Sequence, residues 1–330
     1  MLLLLYNRAS KEVLNTNLEL IFKFLLQGEI YEIDLQKEKK VIANEKISRK
    51  FDNIRYYQDE LNKLVWRGIV NTDILGDNLN SISLNDVQSV LSELTKREYM
   101  SIYYATSDIS KSEIFFSNLI NKKNKIFEKQ FNIEKPILSD LFLSGNRSKE
   151  IEGNPATMVS IIYMLDEKIE ERASIILSLI SLALVNGTSG YLFDKLRNNS
   201  YNLYFIIAKT YFQYSYPFLE IQYIYSSKEE NNIKSLNNLI IELIQAKSLE
   251  NYIKNNITKL KKNLLEIIEY QVSSNTMKSF LMFLAKEHQI GRDNMNLNNT
   301  KSIIYSINEE EIISLLNQMV DRECSQIALI

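Results

Sequence analysis

In the stretch LVNGTSGYLFDKLRNNSYNLYFI, residues 184–206, residue types and spacing invite a chemical reading. Gly187 and Gly190 frame a short loop, and an amphipathic segment follows. Arg197 stands near its end, and Tyr204 comes seven residues later on what reads as a strand. Glycines there permit a tight backbone turn. An Arg at a helix end is favoured by the helix dipole, and Tyr is a natural strand residue. The set is therefore either ordinary helix–strand connection chemistry or half of a binding site whose other half lies elsewhere.

The rest of the chain offers little for catalysis. There is a single histidine, His288, in LAKEHQIG near the end of a predicted helix, and a single cysteine, Cys324. One cysteine excludes an intrachain disulfide framework and a cysteine-based zinc site. Histidine is the commonest zinc ligand and general base, so one of them makes most hydrolytic mechanisms hard to build within this chain alone. With 39 Lys and Arg against 41 Asp and Glu, the net charge of −2 argues against a nucleic-acid partner. No apolar run approaches the roughly 18 residues of a membrane span. The opening MLLLLYNRASKEVL lacks the basic and hydrophobic regions of a signal peptide, so a reducing, cytoplasmic setting is expected.

Length and composition predict elements that can hold such residues. The 330 residues, 45% hydrophobic and 24% charged, suit about two globular domains. Helical spacing runs over 10–27 and again over 34–67, and a polar loop surrounds Gly76. Ser83 with Asp86 predicts a capping box for LNDVQSVLSELTKR. EYMSIYYATS reads as a strand and 110–131 as a helix. Pro136, Gly145 and Gly153 break the pattern, which places a linker at 132–153 between domains at 1–131 and 154–330. The second half restarts with the strand ATMVSIIYML, the apolar helix KIEERASIILSLISLALV and the short helix SGYLFDKLRNN. Two adjacent strands follow, YNLYFIIAKTYFQY and YPFLEIQYIY. On the second, Glu220 and Gln222 share one face, and Leu219, Ile221 and Tyr223 the other. Three helices come next, one with the stripe Ile233, Leu236, Ile240 and Leu243, one with Ile253, Ile257, Leu260, Leu264 and Ile268, and NTMKSFLMFLAKEH. A last helix and a final strand, CSQIALI, complete the order. The two halves share an order of helices followed by a strand, which predicts an α+β fold of two related domains, each a mainly antiparallel sheet covered by helices on one side.

At this point the residues resemble a known family, the pitrilysin, insulinase and mitochondrial-processing-peptidase family of zinc peptidases. KEKKVIANEKI (37–47) resembles its ERxVVxxEI helix, and ILGDNLNSISLNDVQSV its ILGTxExIxxITxEDL segment. EYMSIYYATSDIS resembles the strand and turn NMxLVVVGDVD. LVNGTSGYLFDKLRNNSYNLYFI resembles LGGGxSSRLFxxLREKxGLAYSV, the most specific of the four matches. In that family a His-x-x-Glu-His motif on a first-domain helix binds zinc, and a Glu further along completes the site. Glu45 matches that distal ligand and Glu38 the Glu seven residues before it. None of the 44 residues before Glu45 is a histidine. The resemblance thus implies a first domain that is N-terminally incomplete, and Glu45 is an orphan ligand position that holds no metal by itself.

The resemblance also implies a role for the opening stretch. In the family an Arg and a Tyr from the second domain reach toward the zinc site, and their matches are Arg197 and Tyr204. A Tyr hydroxyl donates to the oxyanion of peptide hydrolysis, and an Arg binds substrate carbonyls. Two-chain members divide these parts between subunits. The implied function is a noncatalytic subunit, a pseudoenzyme that binds peptide and completes the active site of a homologous partner carrying the zinc motif and the zinc, with peptide maturation as its expected role. The loop at Gly187 and Gly190 has two glycines where the family has a run, which weakens any role for it in recognition. The rival reading is a structural or peptide-holding scaffold like the noncatalytic core subunits of the respiratory cytochrome complex. A third is a degenerate product without activity.

Overall fold

The computed structural model describes residues 30–51, 53–66, 79–94, 142–151, 156–165, 171–198, 203–213, 216–226, 229–274 and 297–330, besides Thr16 and Leu20. In chain order these form α1 (Glu32–Phe51), α2 (Asn53–Val65), a 3-10 turn (Leu79–Ser81) and α3 (Leu84–Leu94). Then come β1 (Gly145–Lys149), β2 (Thr157–Met164), α4 (Glu171–Leu184), α5 (Tyr191–Asn198), β3 (Leu203–Gln213) and β4 (Tyr216–Tyr225). The chain ends with α6 (Glu230–Gln245), α7 (Lys247–Ser274), α8 (Leu297–Ser306), α9 (Glu309–Val320) and β5 (Ser325–Leu329). Most of helix 10–27, the Gly76 loop, the strand EYMSIYYATS, helix 110–131 and helix 275–288 lie outside the described residues.

The chain divides into two compact units. One comprises Met1–Arg49, Leu75–Glu134 and Asn275–Lys286, the other Lys50–Ile74, Lys135–Ser274 and Glu287–Ile330. In the first, Lys39 Nζ donates to Asn80 O at 3.3 Å, tying α1 to the 3-10 turn. The capping box read from the sequence begins α3: Asp86 N donates to Ser83 Oγ at 3.2 Å, and Ser83 N to Asp86 Oδ2 at 2.8 Å.

The second unit is built on a five-stranded sheet ordered β1-β5-β2-β4-β3. Every pairing is antiparallel except β1 with β5. Alternation sorts the strands. Val159, Ile161 and Tyr163 of β2 and Leu219, Ile221 and Tyr223 of β4 turn to one face, where they form a continuous core with residues of α4 to α9. On α4, apolar residues at nearly every position are buried, because the helix lies between the sheet and the helices α7 and α9. The architecture is the α+β one expected, a mainly antiparallel sheet covered by helices.

The other face of the sheet is also covered, which the sequence does not foretell. Residues 34–67 form two helices rather than one. The second, α2, sets Leu61 and Val65, with Trp66 after it, on Ile162, Met164, Phe218, Ile327 and Leu329. Trp66 meets Phe142 and Phe218 edge-on, with ring centres 5.7 and 5.4 Å away. Glu60 of α2 is buried, and Lys63 at 3.0 Å and Lys149 both pair with it. Within 132–153, residues 145–149 form β1. Its sequence GNRSK has no β-branched or aromatic residue to announce a strand. Arg147 secures it by donating to Leu64 O at 2.9 Å, to Ser144 O at 3.0 Å and to Leu143 O. The helix α8 is a further element not anticipated from sequence.

Candidate functional site

The loop between α4 and α5 is built by its two glycines. Asn186 and Ser189 form an isolated bridge, with Asn186 N donating to Ser189 O at 2.8 Å and Ser189 N to Asn186 O at 3.1 Å. Gly187, inside that turn, has φ of 59°, and Gly190 has φ of 110°. The two differ in kind. A Cβ on Gly187 would meet nothing within 4 Å, so only backbone conformation selects glycine there. A Cβ on Gly190 would lie 2.8 Å from Val185 Cα and 2.9 Å from Leu184 O, so close packing of two backbone segments selects it as well. Gly190 O accepts from Asp194 N at 3.0 Å, which starts α5.

α5 is amphipathic over two turns. Tyr191, Leu192 and Leu196 are buried in the core, and the Tyr191 hydroxyl lies 2.6 Å from Ser248 Oγ on α7. Asp194, Lys195 and Arg197 are exposed. Phe193 and Arg197 are four apart, and the Arg197 guanidinium carbon stands 5.9 Å from the centre of the Phe193 ring. At an exposed site such a contact contributes about 0.5–1 kcal/mol. Among the described residues Arg197 has no ion-pair partner. Its charge and its planar set of donors are open to an incoming carbonyl or carboxylate.

Tyr204 lies on β3, which is an edge strand and pairs only with β4 among the described residues. The register shifts between Leu203, opposite Tyr225, and Phe205, opposite Ile224, so Tyr204 is the extra residue of a β-bulge. Bulges bend a strand and re-aim side chains. The position of the Tyr204 side chain itself lies outside the described residues. The structure therefore brings Gly187 and Gly190 into one turn, sets Arg197 exposed on the helix that follows, and places Tyr204 at a bulge of the sheet edge.

Glu45 and Glu38 lie on α1, both exposed. Among the described residues, no three side chains of His, Cys, Asp or Glu gather where a metal could sit. The described residues thus do not fit the zinc that the resemblance to the peptidase family implies. His288 lies outside them. Sequence reading does not single out Lys209, although it is the one charged residue of β3. Its contact with buried Glu220 at 3.0 Å is the part of this region that pattern alone leaves out. No helix among the described residues is long and apolar enough to cross a membrane.

No protein-family model and no curated protein sequence matches the chain. Solved structures do. A protease from Helicobacter pylori superposes with a TM-score of 0.73 at 14% identity, over 97% of this chain and 77% of the other. An inactive domain of an M16 peptidase from Pseudomonas fluorescens gives 0.67 at 12% identity, over 97% and 75%. A chain of complex III2 from Candida albicans gives 0.70 at 11% identity, over 97% and 78%. Two other similar structures are longer chains, of which this one spans 35% and 34%. The chain therefore has the fold of M16-like peptidases, the pitrilysin-type fold, which active and inactive domains share.

Proposed function

We propose that this chain is a cytoplasmic, noncatalytic subunit of a heterodimeric zinc peptidase. It binds an extended peptide and completes the active site of a homologous, zinc-motif-bearing partner through Arg197 and Tyr204. The observation that carries the reading is Arg197, exposed and without an ion-pair partner among the described residues, on the helix that leads into the edge strand bearing Tyr204. A purely structural Arg on a surface helix gains from a carboxylate neighbour, whereas one that must receive a substrate carbonyl is better left unneutralised. The outer edge of β3 has no strand beside it among the described residues, so a peptide can add there through backbone hydrogen bonds. In this reading the Tyr204 hydroxyl donates to the oxyanion that forms on the scissile carbonyl, and Arg197 orients the peptide. Zinc belongs to the partner. The physiological role is peptide maturation.

A scaffold without a peptidase role is the second reading, favoured by the likeness to a chain of complex III2. Reconstitution separates the two. The chain alone is expected to be inactive, and its mixture with a zinc-motif partner to cleave members of a peptide library. Arg197→Ala or Tyr204→Phe is expected to lower kcat by about tenfold or more, equivalent to roughly 1.4 kcal/mol of transition-state stabilisation. If both variants cleave like the unaltered chain while the complex still forms, the pair is structural and the scaffold reading stands.

A further inference from the structure

We propose that Lys209 and Glu220 are positioning residues that set the register of β3 and so keep its bulge at Tyr204. The inference rests on the reading of Tyr204 as a substrate-facing residue. The stretch LYFIIA, residues 203–208, is apolar throughout, so no alternation says which side chains belong in the core. Ile206 is 5% exposed, while the larger Phe205 is 45% exposed. Apolar burial by itself favours the reverse, with Phe205 inside. That arrangement is one residue away. If the extra residue sat at the turn end of the ladder instead of at Tyr204, Phe205 would face Tyr223, Ile206 would face Gln222, and the bulge at Tyr204 would vanish.

Lys209 opposes that slip. It is the register partner of Glu220, and its Nζ lies 3.0 Å from Glu220 Oε2. Glu220 is 1% exposed. Its other oxygen accepts from Ser160 Oγ on β2 at 2.8 Å, and Gln222 Nε2 donates to the same hydroxyl at 3.4 Å. Beside them Tyr211 stacks on Phe218, with ring centres 5.2 Å apart. In the slipped register Lys209 would turn to the opposite, apolar face, and Glu220 would remain buried with no cation. Removing one partner of a buried pair is strongly unfavourable, and fixing register is the best-attested use of such pairs. The polar cluster thus supplies the phase that the apolar run lacks.

Cross-strand disulfide trapping on the isolated chain tests this, with Cys324→Ser to remove the native thiol. Cysteines at 207 and 222 report the observed register, and cysteines at 206 and 222 the slipped one. With Lys209 and Glu220 intact, the first pair is expected to oxidise at least about tenfold faster than the second, because only opposed positions meet disulfide geometry. Lys209→Met with Glu220→Met, which removes both charges without leaving one orphaned, is expected to bring the ratio below about threefold, and Lys209→Arg to preserve it. A ratio that stays near tenfold in the double Met variant overturns the proposal. So does a double variant that no longer unfolds cooperatively, since the pair would then serve folding as a whole. The ratio needs no partner and no cleavage, so a failure of reconstitution bears on the peptidase reading alone.

Discussion

At the scale of single residues, two buried tyrosines show how polar groups are handled in this core. Tyr223 donates to Asn237 Oδ1 at 2.7 Å, and both residues are buried. Tyr163 is equally buried, but its hydroxyl meets only the Cys324 thiol, a weak partner. Burial pushes both phenols well above their ordinary range; the neighbouring Cys324 thiol adds to this at Tyr163 and Tyr225 at Tyr223. Removing the two hydroxyls should therefore have different consequences. Tyr223→Phe orphans the Asn237 carbonyl oxygen and is expected to cost about 1–3 kcal/mol, whereas Tyr163→Phe gives up only a weak contact with a thiol and is expected to be close to neutral. Urea unfolding of the two variants checks this, and equal losses would mean that the Tyr163 hydroxyl is satisfied in solution.

At the scale of elements, α2 is the piece that makes the sheet two-sided. Its anchor is Trp66, 3% exposed and wedged between Phe142 and Phe218. The backbone supports the same junction, with Leu143 N donating to Val65 O at 2.9 Å. Trp66→Ala is expected to lower the unfolding free energy by about 3–5 kcal/mol through lost burial and a cavity. Arg197→Ala, at an exposed position, is expected to stay within about 0.5 kcal/mol. Denaturant midpoints of the two variants give the comparison. A small loss for Trp66→Ala would mean that α2 is not held on the sheet as described.

At the scale of the whole molecule, acid should loosen the fold through carboxylates that hold distant segments together. Burial pushes Glu60 up, yet the hydrogen bonds and charges of Lys149 and Lys63 outweigh it and leave its carboxyl below the ordinary range. Glu311 is held low by Arg172, which grips it at 2.7 and 2.8 Å, and by the Asn308 backbone. One pair joins α2 to β1 and the other joins α4 to α9. A carboxylate whose folded pKa is depressed contributes stability that is present above its unfolded value, roughly 4.3 for Glu, and lost as pH falls through the folded value. The melting temperature is thus expected to fall as pH drops below about 4.3, and less steeply in Glu60→Gln with Glu311→Gln. Parallel curves for the two proteins would place the acid sensitivity elsewhere.

The sequence by itself determined the elements whose periodicity matches their burial. β4, α6 and the start of α3 were legible because the alternation of β4 and the stripe of α6 pick out the side chains that face the helical core, and because Ser83 and Asp86 cap locally. β2 and α4 were legible because they are apolar at nearly every position and buried on nearly all sides. The loop glycines were legible too, since positive φ at Gly187 and Gly190 is a local demand. Arg197 and Tyr204 could be named from their spacing, but not the exposure of one or the bulge at the other. Those depend on neighbours far along the chain. Only the tertiary structure decided that α2 returns to cover the second face of the sheet, and that GNRSK becomes a strand. The latter happens because β5, more than 170 residues away, offers it a ladder. It also decided which face of LYFIIA points inward. An unbroken apolar run carries no phase of its own, and the phase comes from a lysine and a glutamate that meet only when two strands are paired.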